Sequence, residues 1–240
     1  MIKENLKNIQ IRINKACASV NRDPESVRLL LATKTVDPER IKIAINSGYS
    51  LIAENKIQET IAKYEDLKSL PHENHFIGHL QTNKVKFLIQ NEVKCLHSLD
   101  RKRLADRLQN RLEYENKEMD VLIQVNTSQE TSKFGVSPDE ALDFIQYVAT
   151  LKNIHIKGLM TIGLFSAEEH KVRPCFQLLR TIRDQAAALD LPGVEMTELS
   201  MGMSGDLEIA IEEGATIVRV GTAVFGARPY PDSYYWNEGS

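Results

Sequence analysis

Eight short apolar runs, each leading into a stretch of helical periodicity, limit this chain most strongly. The runs are 27–32, 51–53, 75–77, 93–97, 120–125, 154–160, 195–199 and 215–220. The first, Val27 to Ala32, is apolar enough to be a strand buried on both faces, as in a parallel sheet. Helical stretches follow at 56–68, 82–90, 100–116, 138–151 and 167–189. Another opens at Asp37-Pro38, an N-cap with a first-turn proline, runs through Ile41, Ala44 and Ile45, and stops near Gly48. Eight such alternations predict an α/β fold, a closed (β/α)8 barrel of the TIM type. An open doubly wound sheet needs a glycine-rich turn after its first strand, and here that turn reads Thr33-Lys34-Thr35. Ahead of the repeat, Leu6, Ile9, Ile13 and Ala16 recur at helical spacing, so residues 1–22 read as an outer amphipathic helix.

The length of 240 residues suits one barrel domain, without linker or low-complexity tract, and the polar tail 228–240 reads as loosely attached. With 30 Lys and Arg against 33 Asp and Glu, no strong field draws the chain to nucleic acid or anionic lipid. Cys17, Cys95 and Cys175 are odd in number, far apart and outside any C-x-x-C pattern, which argues against a disulfide framework and a zinc site. No stretch approaches the roughly 20 apolar residues of a membrane span, and charges interrupt the N-terminus. A cytoplasmic protein that is neither exported nor inserted is expected.

Barrels of this kind bind ligands where strand C-termini meet the following loops. Lys34 ends the first strand, where partial desolvation favours the neutral amine and attack on an aldehyde. By position alone, a solvated strand-end lysine is the commoner case. Leu199 to Asp206 brings small and hydroxyl residues to a helix N-terminus, as an anion site requires, although Ser204-Gly205-Asp206 is also an ordinary N-cap. Arg219-Val220-Gly221-Thr222 ends strand eight; alone it could be a tight turn, with Arg219 in a salt bridge to a core acid. Together the two loops occupy the strand-seven and strand-eight positions where barrels commonly bind phosphate. Asn55 ends strand two and could position a ring; His79 could cap a helix, and Lys133 could line the mouth or be solvated. His75, His97 and His155 form no metal-ligand cluster with neighbouring acids, so structural histidines and no metal are expected.

Six ordered motifs resemble one family along nearly the whole chain. They are Ala32-Thr33-Lys34, Glu54 to Glu59 (ENKIQE), His75 to Lys84 (HFIGHLQTNK), Gly158-Leu159-Met160, Leu199 to Ser204 (LSMGMS) and Arg219 to Gly226 (RVGTAVFG). In these the chain resembles the pyridoxal phosphate homeostasis proteins of the YggS/PROSC type, related by fold to the barrel domain of alanine racemases. The resemblance implies pyridoxal 5'-phosphate as cofactor, held by Lys34 as a Schiff base. It implies that Ser200, Ser204, Gly221 and Thr222 surround the phosphate, that Arg219 faces the pyridine nitrogen, and that Asn55 and Met203 line the ring. Two positions depart from the family's pattern: Ala53 stands where glycine usually precedes Glu-Asn, and Gly205 where an acidic or small residue is common.

Three functions share this lysine. The first is a non-catalytic protein of vitamin B6 homeostasis that holds the cofactor, with transient contact to cofactor-free enzymes and a monomeric state. The second is an amino-acid racemase, which needs acid/base groups on both faces of the substrate carbon. The related racemases bring one of these from a second domain, and here only Tyr230, Tyr234 and Tyr235 of the tail could substitute. The third, a sugar-phosphate aldolase, leaves Arg219 unexplained. An arginine against the ring nitrogen keeps it unprotonated and weakens the ring as an electron sink. The carrier is therefore ranked first, with no catalytic residue assigned.

Overall fold

A computed structural model describes residues 1–130, 133–164, 166 and 168–227. Its centre is a closed barrel of eight parallel strands in sequence order: β1 (Arg28–Ala32), β2 (Leu51–Glu54), β3 (Glu73–Phe76), β4 (Cys95–Leu99), β5 (Met119–Gln124), β6 (Ile154–Met160), β7 (Val194–Ser200) and β8 (Ile217–Val220). Pairing of Leu30 with Arg219 and Leu31 with Val220 closes the ring between β1 and β8. The outer layer holds α2 (Pro38–Ile45), α3 (Ile57–Leu67), α4 (Val85–Gln90), α5 (Lys102–Glu115), α6 (Ala141–Ala149), α7 (Glu169–Ala187) and α8 (Leu207–Glu212). They are preceded by α1 (Ile2–Ser19) and followed by the four-residue α9 (Thr222–Phe225).

Residues alternate between two burial environments. Outward positions such as Leu29, Leu31, Val121, Ile123, Val218 and Val220 join the helices in the main apolar cluster. Inward positions form two smaller clusters, Leu30, Leu51, Ala53 and Ile217 in one, and Cys95, Leu122 and Met160 in the other. The entry end of the barrel is charged: Arg28 pairs with Glu198 at 2.8 Å, and Lys157 with Glu195 at 2.5 Å. Apolar filling and a charged floor leave the C-terminal rim as the open end.

Local signals explain most boundaries. Asp37 accepts from the Arg40 N–H at 3.1 Å, with Pro38 in the first turn, so α2 begins where expected. Strand four starts two residues later than the apolar run, because Glu92 adopts a left-handed φ of 52° and the Val93 N–H is taken by the Leu88 carbonyl. Strand three begins earlier, at the exposed Glu73, and ends at Phe76. The stretches expected as helices from 82 and from 138 open instead with single 3-10 turns, Thr82–Lys84 and Pro138–Glu140.

The first helix buries Leu6, Ile9, Ile13, Ala16 and Cys17 and lies over the last elements of the barrel. Asn5 donates to the Val224 carbonyl at 2.9 Å. Arg12 grips both carboxylate oxygens of Glu208 at 2.6 and 2.8 Å and donates to the Ser204 carbonyl at 3.0 Å. The expected loose tail at 228–240, with its tyrosines, lies outside the described residues. Among the described residues, no helix is long and apolar enough to cross a membrane.

Candidate functional site

Strand β1 feeds Thr33 into the sheet edge, where its N–H donates to the Ala53 carbonyl at 2.9 Å. The chain then turns sharply, with Thr35 at a left-handed φ of 64°. Between them Lys34 is 8% exposed. It lines an open pocket of ≈ 340 Å³ together with Thr35, Arg40, Gly221, Thr222 and Phe225. Gly221 is the N-cap of α9, and its carbonyl accepts from the N–H groups of Val224 and Phe225. As at any helix start, the N–H groups of the first turn lack intrahelical acceptors, so the rim beside Lys34 offers main-chain donors. A primary amine and a set of main-chain donors thus share one pocket.

One step inside the rim, Arg219 is 6% exposed. Its guanidinium donates to Ser200 Oγ at 2.9 Å and to the Thr161 carbonyl at 2.8 Å. Among the described residues no carboxylate lies within 4.0 Å of it, so the alternative of a core salt bridge is not what the barrel builds. Burial pushes its pKa down to about 10, against the pull of the more distant Asp206. Ser200 is fully buried, and its hydroxyl also meets His97 Nδ1 at 3.1 Å. His97 Nε2 in turn meets His75 Nδ1 at 2.8 Å. Burial first, then the adjacent His75 and Arg219, hold His97 well below its ordinary pKa. A buried hydrogen-bonded chain of His75, His97 and Ser200 therefore supports a buried cation.

The other candidates stand around this pair without lining the Lys34 pocket. Asn55 follows β2, and its buried Oδ1 has no hydrogen-bond partner. Met203 and Ser204 lie half-buried in the β7–α8 loop. The Met203 N–H donates to Asp206 Oδ1 at 2.5 Å. Asp206 therefore turns back into its loop and makes no side-chain cap to α8. The Arg12 contact fixes the Ser204 carbonyl, and its hydroxyl is uncommitted to any bond among the described residues. The buried amide oxygen can accept from a donor and the buried guanidinium can donate to an acceptor such as a ring nitrogen, so the two offer complementary contacts to a polar ring.

The chain matches the family model "Alanine racemase, N-terminal domain" over residues 5–229. It is 47% identical over 227 residues to the pyridoxal phosphate homeostasis protein of Aquifex aeolicus, covering 95% of this chain and 98% of that one. The chain belongs to the pyridoxal phosphate homeostasis protein family. Among solved structures, PipY of Synechococcus elongatus, with PLP bound, superposes on this family member with a TM-score of 0.82 at 30% identity, over 94% of this chain and all of PipY. An alanine racemase of Clostridium difficile matches with a TM-score of 0.73 at 15% identity, over 96% of this chain and 57% of the racemase, a likeness of fold.

Several groups of this homeostasis-family barrel escaped the reading of strand ends. Arg40 lines the Lys34 pocket from the first turn of α2 and donates to the Phe225 carbonyl, a position outside the eight strand termini. His75, Cys95 and His97, expected to be separate, put their ligand atoms within 4.8 Å of one another inside the barrel. His79 does not cap a helix through its Nδ1, which makes no hydrogen bond among the described residues and lies 3.9 Å from Asp100 Oδ2, and its ring stacks on Phe134 at 3.8 Å. Lys133 donates to the Gly163 carbonyl at 2.8 Å and pairs with Glu130.

Glu54, at the end of β2, is 2% exposed, and burial outweighs the attraction of Lys63 to push its carboxyl up to about 7. A carboxyl whose pKa rises on folding favours the folded state below its unfolded value and loses that contribution as pH rises through 7. Wild-type stability should therefore fall between pH 5 and pH 8. Glu54→Gln, which keeps an acceptor for Thr33 and Lys63, should flatten this slope and be more stable at pH 8 by up to about 3 kcal/mol. Urea unfolding at the two pH values reads the difference; parallel slopes in the two proteins would exclude Glu54 as its source.

Proposed function

We propose that this chain binds pyridoxal 5'-phosphate through a Schiff base on Lys34 and holds it for intracellular cofactor homeostasis without turning over a substrate. The observation that carries this is the placement of a buried amine and the start of α9 in one pocket, with the buried Arg219 two residues before Gly221 on β8. The cofactor supplies an aldehyde for the amine, a phosphate for the rim and a ring nitrogen for the guanidinium. In this reading Gly221 and Thr222 offer main-chain and hydroxyl donors to the phosphate, and Ser204 adds a second hydroxyl from the neighbouring loop. Asn55 and Met203 flank the ring. Ser200 acts through Arg219, since its hydroxyl is already shared between Arg219 and His97.

Storage in place of turnover is supported by the composition of the pocket. Among the described residues that line it, only Lys34 and Arg40 titrate, and an arginine does not serve as a base near neutral pH. Racemisation asks for a second proton carrier. The Arg219 charge beside the ring nitrogen also disfavours the electron-withdrawing form of the ring. The family name of the Aquifex relative and the PLP bound to PipY agree with this assignment. We read the chain as one cofactor-binding barrel domain, monomeric and cytoplasmic, that contacts cofactor-free enzymes transiently.

The test is chemical trapping. Protein incubated with pyridoxal phosphate is reduced with borohydride, digested and mapped by mass spectrometry. The cofactor should be fixed on Lys34, and Lys34→Ala should lose both the adduct and the absorbance band near the visible edge. Equal labelling of Lys34→Ala would place the bond on another residue. Turnover of an amino acid between its enantiomers, dependent on Lys34, would replace storage by racemisation.

A further inference from the structure

The motif Glu54 to Glu59 supplies only Asn55 to the reading above, yet its two glutamates converge on the turn that carries Lys34. Lys63, on the next turn of α3, is buried and donates to three oxygens: the Thr33 carbonyl at 2.8 Å, Glu54 Oε1 at 2.7 Å and Glu59 Oε2 at 2.7 Å. Thr33 Oγ1 donates to the same Glu54 oxygen at 2.6 Å. Glu59 Oε2 also accepts from the Thr35 N–H at 2.6 Å. The residues on either side of Lys34 are thus fixed to one charged cluster, whose centre is the Lys63 ammonium.

Thr35 gives the cluster its meaning. A β-branched residue at φ 64° sits in a region that L-residues other than glycine, asparagine and aspartate rarely occupy, and such a turn persists only where its surroundings hold it. The Val36 N–H closes the turn onto the Thr33 carbonyl at 3.0 Å, and the bond from the Thr35 N–H to Glu59, which Lys63 orients, is the side-chain contact that holds Thr35 itself. Without it, the turn relaxes toward negative φ and rotates the neighbouring peptide, swinging the Lys34 side chain away from the strand end.

We propose that Glu59 and Lys63, with Glu54 beneath them, are positioning residues that hold the Thr33–Thr35 turn in its left-handed form and so seat the Lys34 amine in the pocket. The proposal rests on the cofactor assignment above for its consequence in binding. Its structural part, how Lys34 is presented, stands apart from it.

Two readouts separate these parts. In the unloaded protein, acetylation of Lys34 by acetic anhydride, followed by mass spectrometry, reports how well the amine is seated. Glu59→Ala should raise that labelling several-fold relative to the other lysines. Thr35→Gly/Glu59→Ala should bring it back toward the wild-type value, because glycine adopts the left-handed turn without help. In protein loaded with pyridoxal phosphate and dialysed, Glu59→Ala and Lys63→Met should release cofactor about tenfold faster, the effect of one lost charge-assisted hydrogen bond. The double variant should again approach wild type.

Unchanged Lys34 labelling in Glu59→Ala overturns the positioning role, as does a rise that Thr35→Gly fails to reverse. If wild-type protein fails to trap the cofactor on Lys34 while labelling still responds to Glu59, the cofactor reading falls and the clamp stands. Circular dichroism melts accompany each variant. A labelling change that follows global unfolding, with no recovery in the double variant, also counts against the clamp.

Discussion

Gly78→Ala should lower the stability of this protein by about 3 kcal/mol and its melting temperature by about 10 °C. Gly78 follows β3, and a Cβ built there would lie 1.8 Å from the Asn55 carbonyl oxygen and 2.5 Å from its carbon. Backbone blocks that methyl group, so no side chain can rotate out of its way. The β2 and β3 ends must separate by more than 1 Å to admit it, against a shell that includes Ser98, whose hydroxyl donates to the Gly78 carbonyl at 2.5 Å. The displaced residue is Asn55, so cofactor retention should fall with stability. Thermal melting and dialysis of the loaded variant measure both. A melting temperature within a degree or two of wild type would mean that the two loops approach less closely than the structure has them.

Arg219→Met should act in opposite directions on two properties. The unloaded variant should be more stable than wild type, and it should retain cofactor at least tenfold less well. A guanidinium pushed down to about 10 by burial carries roughly 3 kcal/mol of desolvation. Its two hydrogen bonds, to Ser200 and Thr161, return about 1 kcal/mol each. Methionine fills a similar volume without the charge, which is how buried ionic groups have often been replaced at no loss. The expected gain is about 1 kcal/mol, or a few degrees in the melt. A variant less stable than wild type by several degrees would show that the His75–His97–Ser200–Arg219 chain holds the barrel together on its own account. Its expected behaviour instead is that of a site kept at some expense to the unloaded fold.

The barrel was legible because burial on both faces leaves a compositional mark. Val27 to Ala32 and Asp120 to Val125 can hardly be anything else between helical stretches, and eight of them in order leave few closures. Edges were less legible where a turn overrides composition. Val93 looks like strand, but the left-handed Glu92 commits its N–H to the end of α4. The four-residue α9 is too short to show a helical period at all.

The site divides in the same manner. Lys34, Gly221 and Thr222 were visible because strand ends in a barrel share one rim, and they do line one pocket. The support beneath Arg219 was not, since its members come from strands far apart in the sequence: His75 and His97 are 22 residues apart, and His97 and Ser200 are 103 apart. Nothing local in the chain links them. Glu54 and Glu59 fall between the two cases. Glu59 lies one helical turn before Lys63 and Glu54 ends the preceding strand, but the left-handed Thr35 that gives them a task is a property of the backbone alone.

The grip of the first helix on the last loops bears on when the pocket comes into being. Asn5 bonds Val224 across 219 residues, and Arg12 bonds Ser204 and Glu208 across 192 and 196. Contacts this distant in sequence form late, because closing the intervening loop precedes any return from them. During synthesis the α1 helix emerges before α8 and α9, on which it packs most, so much of its apolar face stays uncovered until they follow. The rim that α9 and the β7–α8 loop provide is then assembled late, so a chain able to retain the cofactor is one in which α1 has already met α8 and α9.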